Sequence, residues 1–322
     1  MKNISKENKK RLIEFVKNSM VFIALIVLFF IFSLTLQDVG KGFADQGNLW
    51  NIIRQTALIA ILGVGMSFAL GAGQIDLSQG SVVAVTSLTT ALVLRSFGMV
   101  PAILAGLGVG LIVGALNGFL IAYVGMPAFL ATLGTQIIFG GVARTMTSLK
   151  SIPITDKFFK FVLGGGNLGT IPVLVIWMLV IVAFGHIMLK KMPFGRKVLA
   201  IGGNAKSALY SGINVKKTIF KVMIFSALLA SFAGILWAGR YGGGRYTIGE
   251  GAEVSAIAAS VLGGTSIMGG IASILGASAG AIMIGMIDSA LVMYGLDVYQ
   301  QMIVRGIVII IAVASTHKRR EI

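Results

Sequence analysis

The sequence contains no cysteine and only two histidines, His186 and His317, in 322 residues. Without cysteine there is no disulfide framework, no thiolate metal site and no thiol nucleophile. Histidines so far apart in sequence leave multi-histidine zinc or iron sites without ligands, so no metal site and no catalytic residue is assigned. Charge is scarce as well: Asp, Glu, Lys and Arg make up 12% of the chain, about half their share in an ordinary soluble domain. Proline is rare, with 5 residues, and the 43 glycines follow no triplet period. A collagen-like chain and a disordered low-complexity chain are both excluded. What fills the space is apolar, 56% of all residues, and the glycines are left to serve packing.

An apolar run of about 20 residues, rising 1.5 Å per residue, crosses a hydrocarbon layer roughly 30 Å thick. The first run, 21–36, follows a tail rich in lysine (Lys2, Lys6, Lys9, Lys10, Arg11, Lys17). It is long for a signal-peptide core, and no small-x-small cleavage site follows in Gln37-Asp38-Val39-Gly40, so it reads as an uncleaved span. Nine further spans are expected at 53–72, 80–95, 100–124, 127–147, 171–190, 218–240, 253–268, 271–294 and 298–316. Two of them, 80–95 and 253–268, are short and rich in Ser, Thr and Gly; each reads as a full span or as a half-helix entering the membrane under cover of protein. The expectation is an all-α polytopic membrane protein of about ten transmembrane helices, one transmembrane domain over 1–322.

The net charge of +16 would point to nucleic acid in a soluble protein. Here the basic residues concentrate in the 1–19 tail, between 190 and 221, and at Lys318, Arg319 and Arg320. The positive-inside rule puts those segments in the cytoplasm, so both termini lie inside, no nucleic-acid partner is expected, and membrane lipid is the solvent. The loop 191–217 is then the longest cytoplasmic segment, and 317–322 is a cytoplasmic tail.

Compared with itself at an offset of 171 residues, the chain repeats several positions, among them Gly63/Gly234, Gly71/Gly242, Gly80/Gly251, Gly98/Gly269, Gly114/Gly285 and Tyr123/Tyr294. The offset maps the second span onto the seventh and the fourth onto the ninth. An odd displacement inverts the copy, and inverted repeats are a common skeleton of transporters. Gly106, Gly110, Gly114 and Gly118 fall every four residues, a smooth helix face that lets another backbone approach closely. Gly202-Gly203-Asn204-Ala205-Lys206-Ser207 ends like a phosphate-binding loop but has Ala205 where the glycine is required. This chain does not bind ATP by that device.

Ionisable groups in a bilayer cost about 2.5–3.5 kcal/mol each on insertion scales, so Asp288, Arg305 and Arg144 need a reason. Asp288 matches Asn117 at the same offset; the pair reads as a polar solute path or as an interhelical clamp. Phe129, Thr132, Thr135 and Gln136 place aromatic and polar groups along the fifth span, suited to a sugar or to bundle packing. Asp76 reads as a helix cap, and Glu250 and Glu253 suit a helix N-terminus. The candidate translocation residues are Asn117, Phe129, Thr132, Gln136 and Asp288.

The string Pro193-Phe194-Gly195-Arg196-Lys197-Val198-Leu199-Ala200-Ile201-Gly202-Gly203-Asn204 with Ser211-Gly212-Ile213 closely resembles the cytoplasmic coupling loop of bacterial ribose/xylose/galactose-type ABC transporter permeases. So do Ala256-Ile257-Ala258-Ala259-Ser260-Val261-Leu262-Gly263-Gly264-Thr265-Ser266, Ile75-Asp76-Leu77-Ser78, and Pro127-Ala128-Phe129-Leu130-Ala131-Thr132-Leu133-Gly134-Thr135. Gln74, Val254-Ser255 and Asp288-Ser289 depart from the family pattern. The resemblance implies a type II-like importer permease of the inner membrane, paired with an identical or sister permease. It also implies two cytoplasmic ATP-binding cassette domains of an ABC ATPase, which use ATP and Mg, and an extracytoplasmic solute-binding protein; no cofactor is expected in this chain. By the same resemblance Gly195, Arg196, Gly202, Gly203, Asn204, Ser211 and Gly212 would contact the ATPase. An ion- or proton-coupled carrier working without an ATPase is the rival reading, which the repeat equally allows.

Overall fold

The computed structural model describes residues 20–317; the 1–19 tail and residues 318–322 lie outside it. The chain order is α1 (Met20–Thr35), α2 (Gln46–Gly71), α3 (Gln79–Phe97), α4 (Met99–Phe119, continued by a π-helical turn, Leu120–Val124), α5 (Ala128–Met146), the short α6 (Lys157–Lys160), α7 (Val173–Lys190), α8 (Pro193–Gly203), α9 (Ala205–Tyr210), α10 (Val215–Tyr241), α11 (Ala252–Leu262), α12 (Ile274–Met293) and α13 (Val298–His317). Two-residue strands tie the connections: β1 (Ile152–Pro153) pairs antiparallel with β4 (Gly243–Gly244), and β2 (Asn167–Leu168) with β3 (Ile171–Pro172).

Among the described residues, α2, α3, α4 with its π turn, α7, α10 and α12 are long and apolar enough to cross a membrane, and α1 and α11 are shorter apolar helices. The burial pattern is inverted relative to a soluble protein. Leu104, Ile112 and Phe119 of α4 and Leu179, Val180 and Phe184 of α7 face outward, while the hydrogen-bonded Ser67, Ser87, Thr135, Ser231 and Ser260 are buried. Hydrocarbon solvent favours this, because only protein partners can satisfy polar groups there. The chain is a polytopic membrane protein.

The glycine face of α4 lies against α10. A Cβ at Gly106 would meet Ile235, at Gly110 Ser231 and the Ala227 carbonyl, at Gly114 Ile224 and Ala227, and at Gly118 Phe220. The partners step down α10 as the glycines step up α4, so the two helices run antiparallel at backbone distance. Gly285 of α12 sits the same way on Thr56 of α2, and Gly280 and Gly276 hold α12 against Ala259 and Gly263 beside α11. In a bilayer such close approach supplies the cohesion that apolar burial supplies in water.

Two connections fold back into the bundle from opposite ends. Residues 72–78 return far enough that Gln79, the first residue of α3, donates to the Leu62 carbonyl part-way along α2. From the other end, 242–251 descends along α3: Gly244 rests on Ser87 and Leu88, and Gly249 on Gly80 and Val83. Consequently α11 has only 11 residues, the half-helix alternative for 253–268, whereas α3, with 19, keeps full length. α2 starts earlier than its apolar run suggests, because the Asp45 carboxylate accepts from Gly47 N at 2.8 Å and secures the polar first turn.

The α4–α10 contact predicts a contrast between two alanines. Gly110→Ala overlaps the Ala227 carbonyl and should cost about 1–3 kcal/mol. Gly108→Ala points into open space and should be neutral or gain up to about 1 kcal/mol from helix propensity. Thermal unfolding of the detergent-solubilised variants measures both; equal melting temperatures would refute the packing assignment.

Candidate functional site

A buried polar chain links α3, α4, α5 and α10 near the end of the bundle that carries α8 and α9. Asp76 is fully buried. Its Oδ1 accepts from Ser78 N at 3.1 Å and Ser78 Oγ at 2.6 Å, and its Oδ2 accepts from Ser226 Oγ at 2.6 Å. The expected capping role is therefore replaced: Asp76 lies two residues before the α3 N-cap, Ser78, and ties the 72–78 connection across to α10. Asn117 donates to Ser78 Oγ at 2.9 Å and accepts from Thr135 at 2.8 Å. Gln79 donates to Ser226 Oγ at 3.0 Å. A carboxylate removed from water is costly unless its oxygens are bonded, and these hydroxyls supply the bonds.

Glu253, in the first turn of α11 as expected, is buried between α3 and α5. Its Oε1 accepts from Gln136 at 2.9 Å, and its other oxygen has no hydrogen-bond partner. Thr132 is buried and shares its hydroxyl between the Ala128 and Ile75 carbonyls.

Toward the opposite end lies a cavity of about 740 Å³. Gln55 and Ile59 of α2, Trp237, Arg240 and Tyr241 at the end of α10, and Ile284, Gly285 and Asp288 of α12 form its walls. Arg245, Thr247 and Glu250 of the inward-folded connection, with Ser255 of α11, complete it. Arg240 is anchored by donating to the Arg54 carbonyl at 3.0 Å. At the rim Arg144 pairs with Glu250 at 2.7 Å, both half exposed, a pair worth little in energy. The cavity brings donors, acceptors and the aromatic side chains of Trp237 and Tyr241 onto converging walls.

Of the five candidate translocation residues, Asp288 lines this cavity. Asn117 and Thr132 belong to the packed polar chain, Gln136 to the Glu253 contact, and Phe129 is 50% exposed on the outer side of α5. None of these four lines the cavity. Sequence reasoning missed Gln55, Arg240, Arg245 and Thr247. The 171-residue offset carried a signal for two of them, since Gln55 and Thr247 correspond to Ser226 and Asp76. The side chain of Arg305 lies outside the described residues.

The 191–214 segment packs on the bundle through glycine. A Cβ on Gly195 would overlap the Leu189 backbone at the end of α7; one on Gly202 would overlap the Gly71 carbonyl and Gly270 N. Gly270 N itself donates to the Gly71 carbonyl at 3.0 Å. Gly195 is buried against the end of α7, and Gly202, partly buried, rests on Gly71 and Gly270. Arg196, Gly203, Asn204, Ser211 and Gly212 are exposed. Asn204 caps α9 by accepting from Ser207 N at 2.9 Å, and Gly212, at φ +80, supplies the left-handed turn after it. Leu209 and Tyr210, the latter 90% exposed, project from α9; neither stands out in the sequence, because an apolar residue in a short helix is as readily buried.

A bundle with inward-folded connections, a polar cavity at one end and an exposed helical segment at the other is the frame of a membrane permease. Residues 48–313 match the family described as branched-chain amino acid transport system / permease component, and the chain belongs to that family. It is 37% identical over 302 residues to the ribose import permease protein RbsC of Bacillus subtilis, covering 92% of each chain. It is 36% identical over 307 residues to the ribose import permease protein RbsC of Escherichia coli, covering 92% of this chain and 93% of the relative. The D-allose transport system permease protein AlsC of Escherichia coli is 34% identical over 293 residues, 89% of each chain. No solved structure matches significantly. The resemblance to sugar ABC transporter permeases is borne out.

The glycine seam predicts that Gly202→Leu lowers the melting temperature of the solubilised protein by several degrees, while Gly203→Leu, one residue on and facing open space, leaves it unchanged. Equal effects would place the seam elsewhere.

Proposed function

We propose that this chain is the membrane-spanning subunit of an ATP-driven importer of a sugar or related small polar solute in the bacterial inner membrane. Two permease subunits, identical or sister, sit on two cytoplasmic ATP-binding cassette domains and receive solute from an extracytoplasmic binding protein. The relatives named for ribose and allose import support the solute class. In this reading α5 and α13 join the eight apolar helices in crossing or entering the membrane, with both termini and the α8–α9 segment in the cytoplasm. The clustering of basic residues there supports that orientation. ATP and Mg serve the ATPase, and this chain carries no cofactor and performs no covalent chemistry.

The observation that carries the reading is the connection between the two ends. The α8–α9 segment touches Gly71, the last residue of α2, and Gly270, just before α12, and α2 and α12 are two walls of the cavity. Movement of α8 therefore bears on both walls. Arg196, Gly203, Asn204, Ser211 and Gly212 present the surface for the ATPase, and Gly195 and Gly202 fix that surface to the helices it moves. Asp288 lies on the solute path; Asn117, Thr132 and Gln136 hold helices that move around it, and Phe129 faces the second permease or lipid. Transport then proceeds by alternating access, with the bundle rocking between states open to either side.

The inverted repeat has support in the packing. Gly114 rests on Ala227, and their counterparts 171 residues away, Gly285 and Thr56, rest on each other with the roles exchanged. The helix pairs α4–α10 and α12–α2, and likewise α3–α4 and α11–α12, correspond in the same way.

Reconstitution in liposomes tests the reading. With its ATPase, binding protein and ATP, the chain should take up solute, and without ATPase an ion gradient should drive none. Gly203→Trp should abolish uptake while membrane insertion stays normal. Ion-driven uptake by the chain alone would overturn the proposal in favour of a secondary carrier.

A further inference from the structure

At the end of the bundle away from α8 and α9, the short helix α6 carries a patch that the transport reading does not use. The Asp156 carboxylate caps α6 by accepting from Phe159 N at 2.8 Å, and the single turn points its residues three ways. Phe159 is fully buried, whereas Phe158 is 66% and Phe161 45% exposed. Lys157 is exposed and Lys160 partly so. Residues three apart share one side of a helix, so Lys157 and Lys160 form one stripe and Phe158 and Phe161 the next. Among the described residues neither lysine has a carboxylate partner.

The depth of the patch follows from what holds it. Beyond α6 the chain makes the π-helical turn Phe161–Gly165, which lies on the last turns of α10 at backbone distance. A Cβ on Gly164 would overlap the Leu236 carbonyl and Arg240 N, and one on Gly239 the Leu163 carbonyl. Trp177 of α7 fastens the turn by donating from Nε1 to the Val162 carbonyl at 2.9 Å. α10 has 27 residues, about 40 Å at 1.5 Å per residue, which matches a bilayer with its headgroups rather than the hydrocarbon alone. Leu236 lies five residues before the end of that helix, about 7.5 Å inside it. An interfacial helix rests at such a depth, about 5–10 Å, on the boundary between headgroups and acyl chains. Lys160 sits higher, with its Cδ beside Gly242, just past the end of α10.

We propose that this turn binds an anionic phospholipid of the leaflet at that end, with the phosphate on Lys157 and Lys160 and the acyl chains along Phe158 and Phe161. Phenylalanine exposed at this depth meets hydrocarbon, so its exposure carries no penalty. The lysine stems reach up to headgroup level, where a lipid of net negative charge supplies the partner that the protein does not. A zwitterionic headgroup brings its own cation and satisfies them less well. A lipid held here bears on the last turns of α10, which give Trp237, Arg240 and Tyr241 to the cavity wall. The inference needs the membrane-spanning fold and not the importer reading.

The chain has no native cysteine, so probes on Phe158→Cys, Phe161→Cys and Lys157→Cys report without background in the full-length protein in bilayers. With nitroxides, the ratio of collisions with oxygen, which concentrates in hydrocarbon, to collisions with a water-soluble nickel chelate should be several-fold higher at the two phenylalanine positions than at Lys157. Equal, water-like ratios would overturn the site and leave the patch to a soluble protein. With a fluorophore on Phe161→Cys, trace nitroxide-labelled phosphatidylglycerol should quench about twice as strongly as phosphatidylcholine labelled at the same acyl position, in line with local enrichment by two lysines. Adding Lys157→Gln and Lys160→Gln should make the two lipids equal, and Lys157→Arg with Lys160→Arg should keep the preference. Lys157→Gln alone, at an exposed position, should weaken it if the double variant fails to fold. Equal quenching by both lipids in the starting protein, a preference that survives the glutamine variants, or one abolished by inorganic phosphate at constant ionic strength would each overturn the lipid assignment.

Discussion

In a bilayer a leucine gains nothing by leaving lipid for protein, so cohesion has to come from close approach and from polar groups with nowhere else to bond. That constraint organises the molecule. The glycines of α4 admit the backbone of α10, Gly285 admits α2, and Gly202 rests on Gly71 and Gly270 without an intervening side chain. The same device lets connections leave the surface. Residues 242–251 lie along α3 because Gly244, Gly249 and Gly80 remove the side chains that would keep the strands of backbone apart.

Once irregular backbone is inside the bundle, its polar groups dictate the rest. Asp76 enters with the 72–78 connection and has to be met by Ser78 and Ser226; those bonds recruit Asn117, Gln79 and Thr135. At the other end the incoming connection brings Arg245, Thr247 and Glu250 to a space that stays open. One end is therefore a sealed polar joint and the other a polar cavity, and the helices between them, α2 and α12, meet the coupling segment at a glycine seam. A permease needs little more: a space with hydrogen-bonding walls, a seal, and a rigid link to the part that receives force.

Much of the helical framework was legible because apolar length reports spans directly. The runs 80–95, 100–124, 127–147 and 298–316 fall within a few residues of α3, α4 with its π turn, α5 and α13. The glycine ladder of α4 was legible for the same physical reason, since four-residue spacing has one meaning on a helix. Legibility failed where tertiary context decides. The polar first turn of α2 hides its true start, and the 147–170 region carries no periodicity to announce its π turn or its strand pairings. Side-chain direction in the coupling segment was not readable either: Gly202 and Gly203 look alike in sequence, yet one is wedged against Gly71 and the other is open. The cavity was half visible, through Asp288 and its counterpart Asn117, but a solitary pair gives no hint that one member is fully buried in a polar chain and the other borders a cavity.

The central claim is a polarity: force arrives at α9, and solute arrives at the other end. Photo-crosslinking in living cells reads it directly. A photoreactive amino acid at Tyr210, which is 90% exposed on α9, should capture the ATPase, and one at Leu168, 56% exposed beside the opposite end, should capture the solute-binding protein. Capture of the binding protein from Tyr210, or of the ATPase from Leu168, would contradict the account.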